Sequence, residues 1–381
     1  MKRRNTGHYI TVSTVGERVR AFVPAPLPPE PRPELTPGLL QRYTDAMQAL
    51  AALETLGNRV DDAAPFMYIC VRREAVLSSR IEGTQSSLND LLQYEQGTLF
   101  PVAEEDVSSV SHYVSAAQLG MERMAEGYPI SLRLVRELHA ELLRRGRGAS
   151  KQPGEFRQSQ NWIGGTRPGN AVYVPPPPQE LMRCLGDLEL FINTEDEIPP
   201  LIKAALVHVQ FESIHPFLDG NGRVGRLLIQ MMLCRSGLLS KPLLYLSLFF
   251  KQHRQEYYRL LGSIREDGDW EAWLAYFFEA VATSAREAAD LLSSLCAAAE
   301  RNRALVEAQG RSRRNMLRVL DMIRHHVIVR PLQVASELSL SPATAYSALD
   351  KLADLGIITL LSQGERNRIF AYTPYLRFLD E

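Results

Sequence analysis

From Leu39 onward, apolar side chains recur every three to four positions. The stretch LLQRYTDAMQALAALETLG, 39–57, places leucines and alanines at i, i+3 and i+4 and stops at a glycine. That spacing gathers them on one face of a helix, and glycine suits the residue that closes one. The same pattern predicts helices over 65–83, 87–97, 107–127 and 131–148, each closing near a glycine, and over 179–193, 198–213, 222–236, 250–264 and 269–308. Two stretches break it. Residues 22–37, FVPAPLPPEPRPELTP, are too rich in proline for a helix and predict an extended arm lying along its own domain. Residues 150–178 are full of glycine and proline, and within them NWIGG and AVYV predict two short strands joined by TRPGN as a hairpin.

The last seventy residues change character. Short helices over 313–327, 331–340 and 341–357 precede two strands around GERN. Three helices followed by a β-ribbon is the winged-helix order. At 381 residues the chain is long enough for two or three units. Hydrophobic residues make up 45%, which supports a globular core, and a formal net charge of -1 gives no global attraction to nucleic acid or an anionic membrane. Cys70, Cys184, Cys234 and Cys296 form no CxxC pair, so they predict reduced thiols rather than a metal site or disulfide framework. The basic N-terminus lacks a following apolar segment, and no apolar run approaches the ~20 residues that cross a bilayer. The expectation is a cytoplasmic protein with no membrane contact.

One stretch concentrates chemistry. HPFLDGNGRVGR, 215–226, follows an apolar helix and leads into another. Pro216 disfavours helical geometry at His215, so a loop is expected to begin there. Gly220 and Gly222 permit tight or left-handed backbone. A glycine-rich loop entering a helix N-terminus points several N–H groups at one place, a geometry that binds phosphates. Arg223 and Arg226 share a face on the first turn and suit phosphate oxygens. Asp219 is a hard oxygen ligand suited to Mg²⁺ beside them, and His215 titrates in the range of a general base. Each part alone is ordinary; together they are specific. No Gly-Lys-Ser/Thr follows, so this is not a Walker A loop.

The stretch resembles the signature of the Fic (filamentation induced by cAMP) family, His-Pro-Phe-x-Asp/Glu-Gly-Asn-Gly-Arg-x-x-Arg, at every defined position. The resemblance implies an all-α helical bundle with a small β-hairpin flap, here with a C-terminal winged helix-turn-helix domain. It implies transfer of AMP from ATP to a Ser, Thr or Tyr hydroxyl of a target protein, and of the chain itself. His215 would be the base, Phe217 a buried anchor, and Asp219 the Mg²⁺ ligand. Gly220, Asn221 and Gly222 would form the phosphate nest, with the Asn221 side chain adding a contact. Arg223 and Arg226 would bind the β- and γ-phosphates, with Val224 and Gly225 between them in the nucleotide loop. Related Doc proteins, which phosphorylate, carry lysine where this chain has Gly222, which favours AMP transfer here. By the same resemblance Ile163, Gly164, Gly165 and Thr166 on the flap lie near the nucleotide, and the target docks on the flap by β-augmentation. EYYRLL, 256–261, resembles the adenine-pocket segment and implicates Tyr257 and Tyr258; Arg265 stands where some members have asparagine.

A second motif lies upstream. Ser78 and Glu82, four apart in SSRIEG, are expected on one helical face, with Gly83 ending the helix. They resemble the family's inhibitory Ser/Thr-x-x-x-Glu-Gly/Asn motif, which implies that Glu82 pairs with Arg226 and withholds it from ATP. The implied organisation is an N-terminal region with arm and inhibitory helix (1–100), a catalytic core (101–290), a linker helix (291–311) and a winged helix-turn-helix (312–381). Removal of AMP from a target, and DNA-binding regulation with a nucleotide-sensing core, are the alternatives. The C-terminal unit offers Arg311, Arg313, Arg314, Arg318 and Arg324 on one helix and Arg366 and Arg368 on the ribbon, while Lys351 stands against Asp350 and Asp354; DNA binding and protein docking stay open. A homodimer is implied by the resemblance alone.

Overall fold

The computed structural model describes residues 4–59, 64–95, 103–361 and 368–376. The GERN turn and Arg366 lie outside the described residues. The chain opens with an antiparallel hairpin of β1 (Gly7–Thr14) and β2 (Glu17–Pro24). Sequence reasoning missed this hairpin. Its turn is two residues, Val15 and Gly16, both at positive φ, the geometry that matches the twist of a tight hairpin. The proline-rich arm follows and is extended as expected. Its Ala25 carbonyl accepts from Gln210, and Arg4 donates to the carbonyls of Pro31 and Arg32, so the arm lies along its own domain.

The body is helical: α1 (Pro37–Arg59), α2 (Ala64–Ile81), α3 (Leu88–Glu95), α4 (Glu104–Ala125), α5 (Leu132–Leu142), α6 (Pro178–Asn193), α7 (Pro200–Ile214), α8 (Asn221–Arg235), α9 (Ser247–Gln252), α10 (Arg254–Asp267) and α11 (Trp270–Glu307). The expected helix over 250–264 is thus two, broken at His253. α7 is buried on all sides, which its run of leucine, valine and alanine requires. It packs against α8, and Gly225 makes that approach close: a Cβ there would lie 2.8 Å from Glu212 Oε1. α11 lies against α1 and seats Trp273, whose indole N–H reaches the Ala205 carbonyl on α7 at 3.1 Å. It runs unbroken through the expected linker at 291–307.

At the C-terminus, α12 (Arg313–His326), β3 (Ile328–Val329), α13 (Pro331–Glu337), α14 (Pro342–Asp354), β4 (Ile358–Leu360), β5 (Phe370–Tyr372) and α15 (Thr373–Leu376) continue the core of the helical body, and Asn302 on α11 donates to the Tyr372 hydroxyl at 2.9 Å. The three strands here pair antiparallel in the order β3-β5-β4. All four cysteines are free. No helix among the described residues is long and apolar enough to cross a membrane.

Candidate functional site

The site forms where α7 ends and α8 begins. His215 closes α7 in the left-handed region, φ 50 and ψ 62, while its N–H still bonds the Phe211 carbonyl at 2.9 Å. A non-glycine residue there is strained, and surrounding contacts must hold it. Arg157 does so. It is buried, and its guanidinium donates to the carbonyls of His215, Ser159, Pro176 and Ile214, while its own N–H bonds the Pro216 carbonyl. Burial pulls its pKa down to about 10, still charged at neutral pH. Burial also pulls His215 down to about 4, with the charge of Arg157 acting in the same direction. The imidazole is therefore neutral at pH 7, and its Nδ1 has no hydrogen-bond partner in the protein.

The loop after His215 is held from within. The Asn221 side chain accepts from the Phe217 N–H and donates to the Phe217 carbonyl, both at 2.8 Å. Oδ1 and one amide N–H of Asn221 thus close the loop. Phe217 is buried and stacks on His139 with ring centroids 3.7 Å apart. His139 Nδ1 accepts from the Gly154 N–H, which fixes the other nitrogen as the donor to the Asp219 carbonyl. Gly220, at φ 80, begins α8, and no side chain caps the helix. The first-turn N–H groups of Asn221, Gly222 and Arg223 form an anion-binding corner. Asp219 Oδ1 accepts from the Gly220 N–H at 2.6 Å and lies 3.4 Å from Arg223. Val224 and Gly225 face the body: Val224 is in the core and Gly225 lies against Phe211, His208 and Glu212 on α7.

Both arginines are buried, and one is occupied. Arg226 donates through Nε to Ser78 Oγ at 2.8 Å, and through Nη2 to the Ser78 carbonyl at 3.0 Å and to Glu82 Oε1 at 2.8 Å. Glu82 is not on the helix as expected. α2 stops at Ile81, and Glu82 and Gly83 form a turn whose N–H groups bond the carbonyls of Ser79 and Arg80, with Gly83 at φ 97. That turn drops the carboxylate onto the start of α8, where a Cβ on Gly222 would lie 2.2 Å from Glu82 Oε1. Burial works to raise the Glu82 pKa, but the Arg226 guanidinium outweighs it and holds the carboxyl below its usual value. Burial likewise opposes the charge on Arg226, and Glu82 restores it.

Two buried groups nearby lacked any sequence signal. Burial pushes Glu212 up to about 7, and its Oε1 has no partner; His208 Nδ1 is also unpartnered, while its Nε2 meets the Tyr257 hydroxyl at 2.8 Å. Tyr257 is thereby enclosed, and Tyr258, its ring 5.1 Å away, is exposed. Arg265 lies over the Tyr173 ring at 4.0 Å.

The flap overhangs this corner. Its pairing is a single bridge, Ile163 with Tyr173, rather than a two-stranded ladder. Gly164, Gly165 and Thr166 form the exposed tip, tied by the Asn170 side chain to the Thr166 N–H. The base is fixed: Asn161 donates to the Phe217 carbonyl and the Tyr173 hydroxyl to the Ser213 carbonyl. The outer face is braced by the N-terminal hairpin, since the Phe22 N–H bonds the Val174 carbonyl and Glu17 pairs with Arg167.

Known proteins resemble this chain in sequence and fold. Residues 129–233 match the Fic/DOC family and residues 40–122 match the Fic/DOC family N-terminal region. A 142-residue stretch is 36% identical to the protein adenylyltransferase Fic of Drosophila grimshawi and 35% identical to that of Aedes aegypti, in each case 37% of this chain. The stretch spans 26% and 25% of those two proteins, about a quarter of the curated relatives' length. Among solved structures, a Fic family protein from Desulfovibrio desulfuricans G20 superposes with a TM-score of 0.59 at 19% identity, over 90% of this chain and 98% of that one. Fic-1 of C. elegans superposes with a TM-score of 0.53 at 22% identity, over 68% of this chain and 75% of that one. With both regional matches around its His215 corner, the chain is a Fic-domain protein.

Proposed function

We propose that the protein is a nucleotidyltransferase that moves AMP from ATP to a hydroxyl of a target protein and is held inactive by Glu82. The observation that carries this reading is a neutral imidazole on a left-handed corner beside an uncapped helix start with two buried arginines. The target oxygen bonds to the α-phosphorus, the bond to the bridging oxygen breaks, and pyrophosphate leaves with that electron pair. The hydroxyl proton passes to His215. Positioning and charge neutralisation supply most of the catalysis in such a transfer. The N–H groups at Asn221 and Gly222 and the guanidinium groups of Arg223 and Arg226 receive the phosphates. Asp219, a half-exposed carboxylate beside them, would hold Mg²⁺ as a single protein ligand, and the ion would neutralise phosphate charge.

Glu82 occupies the phosphate side of this corner. With Arg226 engaged, bound ATP is displaced from the geometry of attack, and a displacement of about 1 Å costs on the order of a hundredfold in rate. The braced outer face of the flap leaves the Asn161–Gly165 edge for an extended target segment. We read the C-terminal elements as a winged helix. Its α14 pairs Asp350 with Arg368 at 2.7 Å and presents Lys351 beside Asp354, a balance that supports protein docking over DNA.

The test is intact-mass spectrometry of wild type, Glu82→Gly, His215→Ala and Glu82→Gly/His215→Ala after incubation with ATP, Mg²⁺ and a proteome extract cleared of nucleotides. Growth of AMP adducts on the chain or its targets in Glu82→Gly, with none in His215→Ala, is expected. Labelling by Glu82→Gly no greater than by wild type, or labelling that persists in Glu82→Gly/His215→Ala, would overturn the reading.

A further inference from the structure

The loop between α5 and the flap carries an arginine that the site description leaves unused. Arg147 stands between Gly146 and Gly148, both at positive φ, 81 and 88. Its N–H bonds Ser109 Oγ at 3.1 Å, and that hydroxyl donates in turn to the Glu105 carbonyl at 2.7 Å. The turn is wedged tightly. A Cβ on Gly146 would lie 2.6 Å from the Glu105 carbonyl oxygen, and one on Gly148 would lie 2.8 Å from Asp219 Oδ2. Both glycines are therefore required by space as well as by φ, and Arg147 is presented from a fixed backbone. Its side chain is exposed, with no acidic partner among the described residues. It points toward the inhibitory turn: Nη1 lies 3.6 Å from where a Gly83 Cβ would stand, one residue from Glu82.

The charge balance of the corner gives this arginine a purpose. Arg223 and Arg226 face Asp219 and Glu82, so the four groups sum to zero in this state. A triphosphate brings about four negative charges, and after Glu82 leaves, the one net positive charge of Arg223, Arg226 and Asp219 and the two of a Mg²⁺ held at Asp219 oppose them, one short of balance. Arg147 adds to the positive field at Arg223, alongside Arg226. We infer that Arg147 is a third phosphate-binding arginine, contacting the terminal phosphates of ATP and the pyrophosphate that leaves. The inference rests on the nucleotide reading of the site and extends it beyond the two signature arginines. The turn also joins the two halves of the corner, since its backbone abuts Asp219 and its side chain reaches Gly83, the residue after Glu82.

Calorimetric binding of ATP, inorganic pyrophosphate and AMP to Glu82→Gly, with and without Arg147→Ala or Arg147→Lys, tests it. Loss of one charge-assisted contact corresponds to about tenfold in affinity. Arg147→Ala is expected to weaken ATP and pyrophosphate by about that factor and to leave AMP unchanged, and Arg147→Lys to recover part of the loss. Equal ATP affinity with and without Arg147 overturns the inference while leaving the nucleotide reading intact. A loss that is equal for AMP and ATP also overturns it, because a distorted loop would weaken both. Absence of ATP binding to Glu82→Gly with Arg147 present overturns the nucleotide reading, and this inference with it.

Discussion

Removing Glu82 should weaken the empty protein and strengthen its response to ATP, two effects of opposite sign. The carboxylate is 35% exposed and its partner Arg226 is 2% exposed, with an N···O distance of 2.8 Å. Breaking a fully buried pair costs about 3–5 kcal/mol, and an exposed pair contributes about 0–1 kcal/mol. Solvent reaches one side of this pair, and Arg226 keeps both bonds to Ser78 after the change. A loss of about 1–3 kcal/mol follows for Glu82→Gly. Unfolding entropy for a chain of 381 residues is about 0.8 kcal/mol per degree, so Tm should fall by about 1–4 °C. To engage Arg226 in the attack geometry, ATP must displace Glu82 in the wild type, which lowers the apparent affinity of that productive mode by the same 1–3 kcal/mol, about 5–150-fold. Differential scanning calorimetry across an ATP titration reads both effects. Glu82→Gln separates charge from volume, because the amide loses the ion pair but still fills the space at Gly222. It should destabilise like Glu82→Gly yet gain less ATP affinity. A Glu82→Gly protein as stable as wild type, with the same ATP-induced shift, would refute this reasoning.

Two further outcomes follow. With His215 held at about 4, at pH 5 about 90% of the imidazole is neutral, against about 3% for an ordinary histidine at 6.5. The kcat/KM of Glu82→Gly should therefore show no loss attributable to His215 down to pH 5, and the group's contribution should vanish only as pH falls through about 4; a tenfold drop per unit starting near 6.5 would contradict the burial argument. The same shift makes folding stability rise with pH between about 4 and 6.5, because the unfolded chain binds the proton there and the folded one does not. Arg157→Met should unfold at least about 3 kcal/mol more easily in urea, since the carbonyls of His215, Pro176 and Ile214 lose a charged donor. A change under 1 kcal/mol would mean that the His215 corner holds itself.

Much of the helical body was legible because the apolar spacing is regular and helix ends coincide with glycines. The HPFLDGNGRVGR loop was legible because several uncommon residue types stand together at fixed spacing. The pairing of Glu82 with Arg226, 144 residues apart, came only through the family pattern, since no local property of SSRIEG says where its carboxylate lands. The local reading even placed Glu82 on the helix, whereas α2 ends at Ile81 and a turn delivers it. His139 and Arg157 gave no signal. A single histidine on a helix and a single arginine in a loop acquire meaning only from partners 80 and 58 residues away. Asn221 shows a related gap: its residue type says that it will bond, and only the closed loop says that Phe217 takes its oxygen and one of its N–H groups. The β1–β2 hairpin did carry a signal, two β-branched runs around Val15-Gly16, which the search for helices passed over.

That hairpin bears on how the protein is made. Its brace on the flap joins Glu17 to Arg167, and Arg4 just before it binds Glu271, 267 residues away. At ribosomal speeds of about 5–20 residues per second, Glu271 emerges about 13–53 s after Arg4. The Arg4–Glu271 tie therefore closes late, whereas the partners that brace the flap, Glu17 with Arg167 and Phe22 with Val174, are all synthesised before His215. A change at Arg4 or Glu271 then acts on a late step of maturation, after the platform for a target segment is already in place.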